Sequence, residues 1–213
     1  FGGYGRDAAG HVGGLNDLWA FDPATLEWTW VSGSEVRDQT GTYGTKGTAA
    51  PANVPGARDA STAWQDATGR FWLFGGTGYG AAAIAGQLND LWMYDPATNE
   101  WTWVAGGSTV DQAGGFATGR TASPSNNPGG LYGGAGWVDP TGKLWLFGGT
   151  GYDAVGTMGM LNDLWKFDPA TAQWTWTSGN RTANRRGVYG PQGKRYLTNN
   201  PGGRDHLAGW VSA

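Results

Sequence analysis

Cysteine is absent from the 213 residues, which excludes disulfides, thiolate metal sites and cysteine nucleophiles. Histidine is nearly absent too. His11 and His206 stand alone, and no GxSxG, HExxH, P-loop or Cys/His metal spacing occurs anywhere in the chain. Charge is sparse at 15% of residues, and a formal net charge of −3 argues against a generally basic nucleic-acid or membrane-surface binder. No apolar run approaches the roughly 18 residues of a membrane span, and no basic-then-apolar leader opens the chain. No stretch sustains a helical period.

What the chain has instead is 40 Gly, 14 Trp and a sentence written three times. "LNDLWAFDPATLEWTWVSG" starts at Leu15, "LNDLWMYDPATNEWTWVAG" at Leu88 and "LNDLWKFDPATAQWTWTSG" at Leu161, a step of 73 residues. The register holds elsewhere, at Phe1, Phe74 and Phe147 and at Trp64, Trp137 and Trp210. All 14 tryptophans fall on the five phases of Trp19, Trp28, Trp30, Trp64 and Trp72, so tryptophan is architecture before it is chemistry.

Each unit reads as four antiparallel strands. "ASTAW", the turn "DATG" and "RFWLFGG" make one hairpin; "NDLWMYDPAT" and "EWTWV" make a second, with Asp and Pro placed for a type I turn. Trp92 and Tyr94 share a face by the period of two, as do Trp101 and Trp103. Connections of about 12 and about 25 residues, rich in Gly, Pro, Thr and Asn, lie at one end of the unit and the tight turns at the other. The expected fold is all-β, with four-stranded antiparallel sheets repeated as the blades of a β-propeller. The expected division is a half-blade with its long loop at 1–57, full blades with long loops at 58–130 and 131–203, and the inner strand of an incomplete blade at 204–213.

The double glycine after an apolar strand, followed downstream by an aromatic and a Trp, resembles the kelch repeat. Here these are Gly2, Gly3, Phe21 and Trp28; Gly75, Gly76, Tyr94 and Trp101; and Gly148, Gly149, Phe167 and Trp174. The long "GTYGTKGTAAPANVPGAR" connection is similar to that of repetitive bacterial extracellular kelch proteins. That resemblance implies a propeller on the bacterial cell surface or outside the cell. The same family includes galactose oxidase, whose copper site needs histidines and a cysteine-linked tyrosine, and the missing cysteine excludes that activity here. It also includes sialic acid epimerases, but no matching acid/base constellation is found.

Three repeats are fewer than the four to eight blades of a closed propeller. Two copies forming a six-bladed ring, or further blades of a longer chain, are the expected completions; the start at "FGGYG" within a repeat implies a processed or excised segment. The expected function is a non-catalytic extracellular scaffold or binding module that presents its long loops on one face and self-associates. A lectin-like carbohydrate-binding module is the alternative, and a glycan-active enzyme built on His11, Arg204 and His206 the third. No cofactor or metal is expected.

Candidate ligand-binding residues are the one-per-repeat aromatics Tyr4, Tyr79 and Tyr152 in the shorter connection and Tyr43, Phe116 and Tyr189 in the longer one. Rings beside Asn, Asp and Arg suit a sugar; the alternative is that the rings pin their own loops onto the blade, since recurring aromatics more often pack than bind. Arg58 and Arg204 precede inner strands, while Leu131 takes their place in the middle copy. The Asn-Asp pairs 16/17, 89/90 and 162/163 either bind a ligand or, as turn residues, have the carboxylate accept backbone N–H groups. A basic segment, 181–195, is an anion site or a solvated loop face.

Overall fold

The computed structural model describes residues 1–210. The chain is all-β, with one turn of 3-10 helix at Thr118–Arg120. Its core is three antiparallel sheets packed face to face. The first is a hairpin, Leu18–Asp22 with Glu27–Ser32. The second orders Thr62–Gln65, Phe71–Phe74, Leu91–Asp95 and Glu100–Ala105 as adjacent strands, with Ala49–Ala50 from the preceding connection covering the outer edge. The third repeats that order with Ala135–Val138, Leu144–Phe147, Leu164–Asp168 and Gln173–Ser178. No closed ring forms among the described residues.

Period-two alternation decides which sheet each side chain meets. From the second sheet, Trp64, Trp72, Phe74 and Leu91 pack against Leu144, Leu146, Trp165, Phe167 and Trp174 of the third. Leu73, Trp92, Tyr94 and Trp101 point the other way, toward Leu18 and Val31 of the first. Edge-on and tilted ring pairs such as Phe74 with Trp174 at 5.5 Å and Trp72 with Phe167 at 5.8 Å give the joint orientation as well as buried area. The same faces lack a cover at the ends of the array. Trp19, Phe21, Trp28 and Trp30 are 45–65% exposed, and Trp210 is 80% exposed.

Turn chemistry closes both hairpins. Asp66 Oδ1 accepts from Thr68 N and Thr68 Oγ1 while Oδ2 accepts from the Trp72 indole at 2.8 Å, and Asp139 does the same with Thr141 and Trp145. Burial works against both carboxylates, but these donors prevail; Asp66 is held below the ordinary carboxylate value and Asp139 at about 2. The "DPAT" turns end on a residue in the left-handed region: Leu26, Asn99 and Ala172, with φ of 61°, 58° and 53°. The double glycine has a packing reason. Gly75 and Gly76 take φ of 63° and 96°, and a Cβ on Gly75 would lie 2.6 Å from the Leu131 carbonyl of the neighbouring unit.

Three expectations change here. The shorter connections are hairpins of their own: Gly3–Arg6 with Val12–Leu15, Thr77–Tyr79 with Ala85–Gln87, and Thr150–Tyr152 with Met158–Met160. Glycine carries little β-propensity and hides the alternation of these strands, so backbone pairing does most to build them, helped in the second hairpin by Thr77 Oγ1 donating to Gln87 Oε1 at 2.9 Å. Residues 204–210 of the expected inner strand at 204–213 form no strand, and 211–213 lie outside the described residues. The third change concerns the Asn-Asp pairs and belongs to the site.

Candidate functional site at the sheet joints

The first two long connections each leave their own sheet, cross to the next and dock there. The first is held in shape by a bridge between Thr42 and Val54, the second by Gly115 and Asn127. One Asn then clamps each to the sheet below. Asn53 Nδ2 donates to the carbonyls of Thr48 and Trp101, both at 3.0 Å, and Asn126 Nδ2 to those of Thr121 and Trp174 at 2.7 and 2.9 Å. One ring per connection completes the dock. Tyr43 lies 4.8 Å from Trp92 and 5.1 Å from Trp103, and Phe116 lies 4.8 Å from Trp165 and 5.7 Å from Trp176.

Beneath Tyr43 sits a buried polar cluster built on Arg58 and Asp90. Arg58, with no exposed side-chain surface, donates Nη1 to Asp90 Oδ1 at 2.6 Å and Nη2 to Oδ2 at 2.7 Å. Two of its remaining donors reach the carbonyls of Gly56 and Gly75, both at 3.0 Å. Asp90 Oδ2 also accepts from the Tyr43 hydroxyl at 2.6 Å and the Trp92 indole at 2.7 Å. A fully desolvated ion pair persists only with such a dense set of partners, four of the five guanidinium N–H groups being engaged here. Burial opposes the Arg58 charge, but Asp90 outweighs it and holds the guanidinium above its ordinary value. Burial, and then the Asp90 charge, push the Tyr43 hydroxyl far up, so it is a donor at every accessible pH.

The next joint has the same carboxylate without its cation. Leu131 replaces Arg58 and Phe116 replaces Tyr43, leaving Asp163 Oδ2 with the Trp165 indole at 2.7 Å and Oδ1 with no partner. Burial pushes this carboxyl up to about 6, with the nearby Asp153 charge adding to the effect.

The Asn-Asp pairs divide their labour differently from the expectation. It is the Asn that takes backbone: Asn16, Asn89 and Asn162 Oδ1 accept from the N–H of Ser34, Gly107 and Asn180. Each Asp carboxylate accepts instead from the indole two residues on, at Trp19, Trp92 and Trp165. Residues i and i+2 share a face on a strand, so the indole is the nearest donor to a carboxylate turned into the joint.

The candidate ligand residues thus fall into separate places. Tyr43, Phe116 and Arg58 are turned inward at the joints. Tyr189 is 82% exposed and Arg204 is exposed, both on the third connection and its exit. Tyr4, Tyr79 and Tyr152 stand on the three small hairpins, Tyr4 the most open at 70%. The basic segment does not gather into one patch. Arg181 lies over the rings of Trp176 and Phe116 at 4.8 and 5.8 Å and donates to Ala117 O, while Arg186, Lys194 and Arg195 remain exposed. His11 sits 3.5 Å from Asp7, and His206 sits 3.4 Å from Asp205 with its ring 6.1 Å from Tyr132. No group of three or more His, Asp or Glu able to hold a metal occurs among the described residues. One repeat-internal signal foreshadowed the cluster: positions 43 and 58 switch together, Tyr with Arg in the first connection and Phe with Leu in the second.

The fold and joints define an array of β-sheets joined by docking loops. No protein-family model matches the chain, and no curated protein matches it. Among solved structures, that of YjhT is similar, with a TM-score of 0.49 and 19% identity over 86% of this chain. The chain spans 51% of the length of that structure.

Proposed function

We propose that the chain is a kelch-type β-propeller segment acting as a non-catalytic, extracellular scaffold and binding module that presents its long loops on one face and self-associates to close the ring. The observation that supports this reading is a sheet face prepared for a partner. Trp19, Phe21, Trp28 and Trp30 present to solvent the same positions at which Trp92, Tyr94 and Trp101 are buried and Trp103 is partly buried one repeat later. The elaborated end offers the loops for recognition, and Arg58, Asp90, Asn53 and Asn126 there are occupied in structural hydrogen bonds. Light scattering of the full chain over a concentration series tests the reading: mass rising above 22.4 kDa supports an assembly module, and a constant 22.4 kDa counts against it.

A lectin-like module is the second reading, favoured by the open ring of Tyr4 and the partly open rings of Tyr79 and Tyr152 at one end of their sheets. Tryptophan fluorescence titrated with neutral oligosaccharides separates the two, since the scaffold reading expects no response.

A further inference from the structure

The two intact joints show what a long connection does when a sheet lies beneath it, and the third connection shows the same device with nothing beneath. Its internal form is already set. Val188 bridges Asn200 as Thr42 bridges Val54, and Gly203 N donates to Arg185 O as Ala57 N donates to Gln39 O. Asn199 Nδ2 donates to Lys194 O at 3.3 Å, matching the local half of the Asn53 clamp. Arg204 Nε donates to Gly202 O at 2.9 Å, as Arg58 Nε donates to Gly56 O at 3.0 Å. Only the outward half is missing. Tyr189 is 82% exposed where its equivalent Tyr43 is 7%, and the Arg204 guanidinium has no carboxylate partner among the described residues.

The complementary half stands at the other end of the chain. Asp17 occupies the phase of Asp90 and holds the Trp19 indole at 2.6 Å, as Asp90 holds Trp92 at 2.7 Å, with no cation among the described residues to answer it. Trp19 and Trp30, the equivalents of the rings that enclose Tyr43, are 46% and 47% exposed. One end carries a preset Tyr and Arg, the other a preset Asp between open indoles. Both belong to the Tyr-Arg type of joint rather than to the Phe-Leu type of the second connection.

We propose that the third connection docks onto the Leu18–Asp22 and Glu27–Ser32 hairpin of a second copy of this chain, where Tyr189 and Arg204 close on Asp17. This deepens the assembly-module reading and rests on it. In the joint, Arg204 takes the Asp17 carboxylate bidentately, the Tyr189 hydroxyl donates to the same carboxylate between Trp19 and Trp30, and Asn199 Nδ2 reaches the Trp28 carbonyl. The charged pair supplies direction, since neither end can meet its own kind without leaving a desolvated charge unpaired.

Sedimentation velocity of the full chain, with charge reversals on both sides, tests the joint. Arg204→Asp lies on open surface and Asp17→Arg on a partly exposed one, and both leave the intact joints untouched, so thermal unfolding should match the parent for the first and fall only by the lost Trp19 indole bond, about 1 kcal/mol, for the second. Each is expected to weaken self-association tenfold or more, and the double reversal to recover most of that loss. Association that is unchanged by either reversal would overturn this joint while leaving the assembly module standing. A chain that stays monomeric at every concentration would overturn docking between copies along with the assembly reading, and would assign the open faces to further blades of a longer chain.

Discussion

Asp163→Asn is expected to gain stability relative to the parent near neutral pH and to lose that gain toward acid, because the substitution removes a buried carboxylate that lacks a counter-ion. The carboxyl titrates at about 6 in the folded chain against an ordinary 3.8. About two pK units correspond to roughly 3 kcal/mol, the group being fully buried. The sign follows from the direction of the shift. Above pH 6 the group is ionised in both states and the folded state bears the whole penalty. As pH falls from about 6 to about 4, folding takes up a proton and the penalty fades. Below the unfolded value it is gone. Comparing Asp163→Asn with the parent cancels the other carboxylates, several of which are shifted down and lose stability only below their ordinary value of 3.8. The Asn keeps an acceptor for the Trp165 indole but buries an amide with no acceptor, a constant offset of about 1–3 kcal/mol. The difference in unfolding free energy, from guanidinium titrations near pH 7 and pH 4, should therefore shrink by about 3 kcal/mol toward acid. A flat difference would refute the reasoning. Replacing Leu131 by Arg and Phe116 by Tyr together should abolish the same pH dependence by rebuilding the cluster seen at Asp90.

Arg58→Met should cost about 3–5 kcal/mol by leaving Asp90 buried and unpaired, with much of the loss recovered in Arg58→Met/Asp90→Asn; equal losses in the two would contradict the charge argument. Asn126→Ala removes a clamp that reaches the third sheet and should cost about 2 kcal/mol in chemical denaturation, whereas Asn199→Ala, lacking its outward bond, should cost well under half of that. Ala172→Gly should raise stability by up to about 1 kcal/mol in thermal unfolding, because Ala172 sits at φ 53° with a Cβ; Ala172→Asn, copying Asn99, should do part of the same.

Much of the sheet order was legible in the sequence, and the reasons are local. The 73-residue step placed every Trp phase, and the "DATG" and "DPAT" turns announced both hairpins through Asp, Pro and Gly. The contacts that make the joint were not legible one by one. Arg58 finds Asp90 in sequence terms 32 residues away, across a hairpin whose Gly-rich strands carry no alternating pattern. Tyr43 belongs to one repeat and packs on the rings of the next, so its neighbours in sequence say nothing of Trp92. That the "LNDLW" Asp serves an indole rather than backbone is likewise a property of the face it shares, and the paired change of Tyr43 with Arg58 to Phe116 with Leu131 was the one trace of the joint left in the sequence.

The chain is cysteine-free, so one measurement reaches the docking of the third connection directly. In the first joint Ala49 is the cross-strand partner of Thr102, and the equivalent pair between copies is Arg195 with Thr29. Cross-strand partners lie about 4.5–5.5 Å apart at Cα, within disulfide range. Arg195→Cys/Thr29→Cys should form disulfide-linked multimers under mild oxidation, as Ala49→Cys/Thr102→Cys should close within one chain. Monomer alone from the first variant, with the second closing normally, would contradict the account.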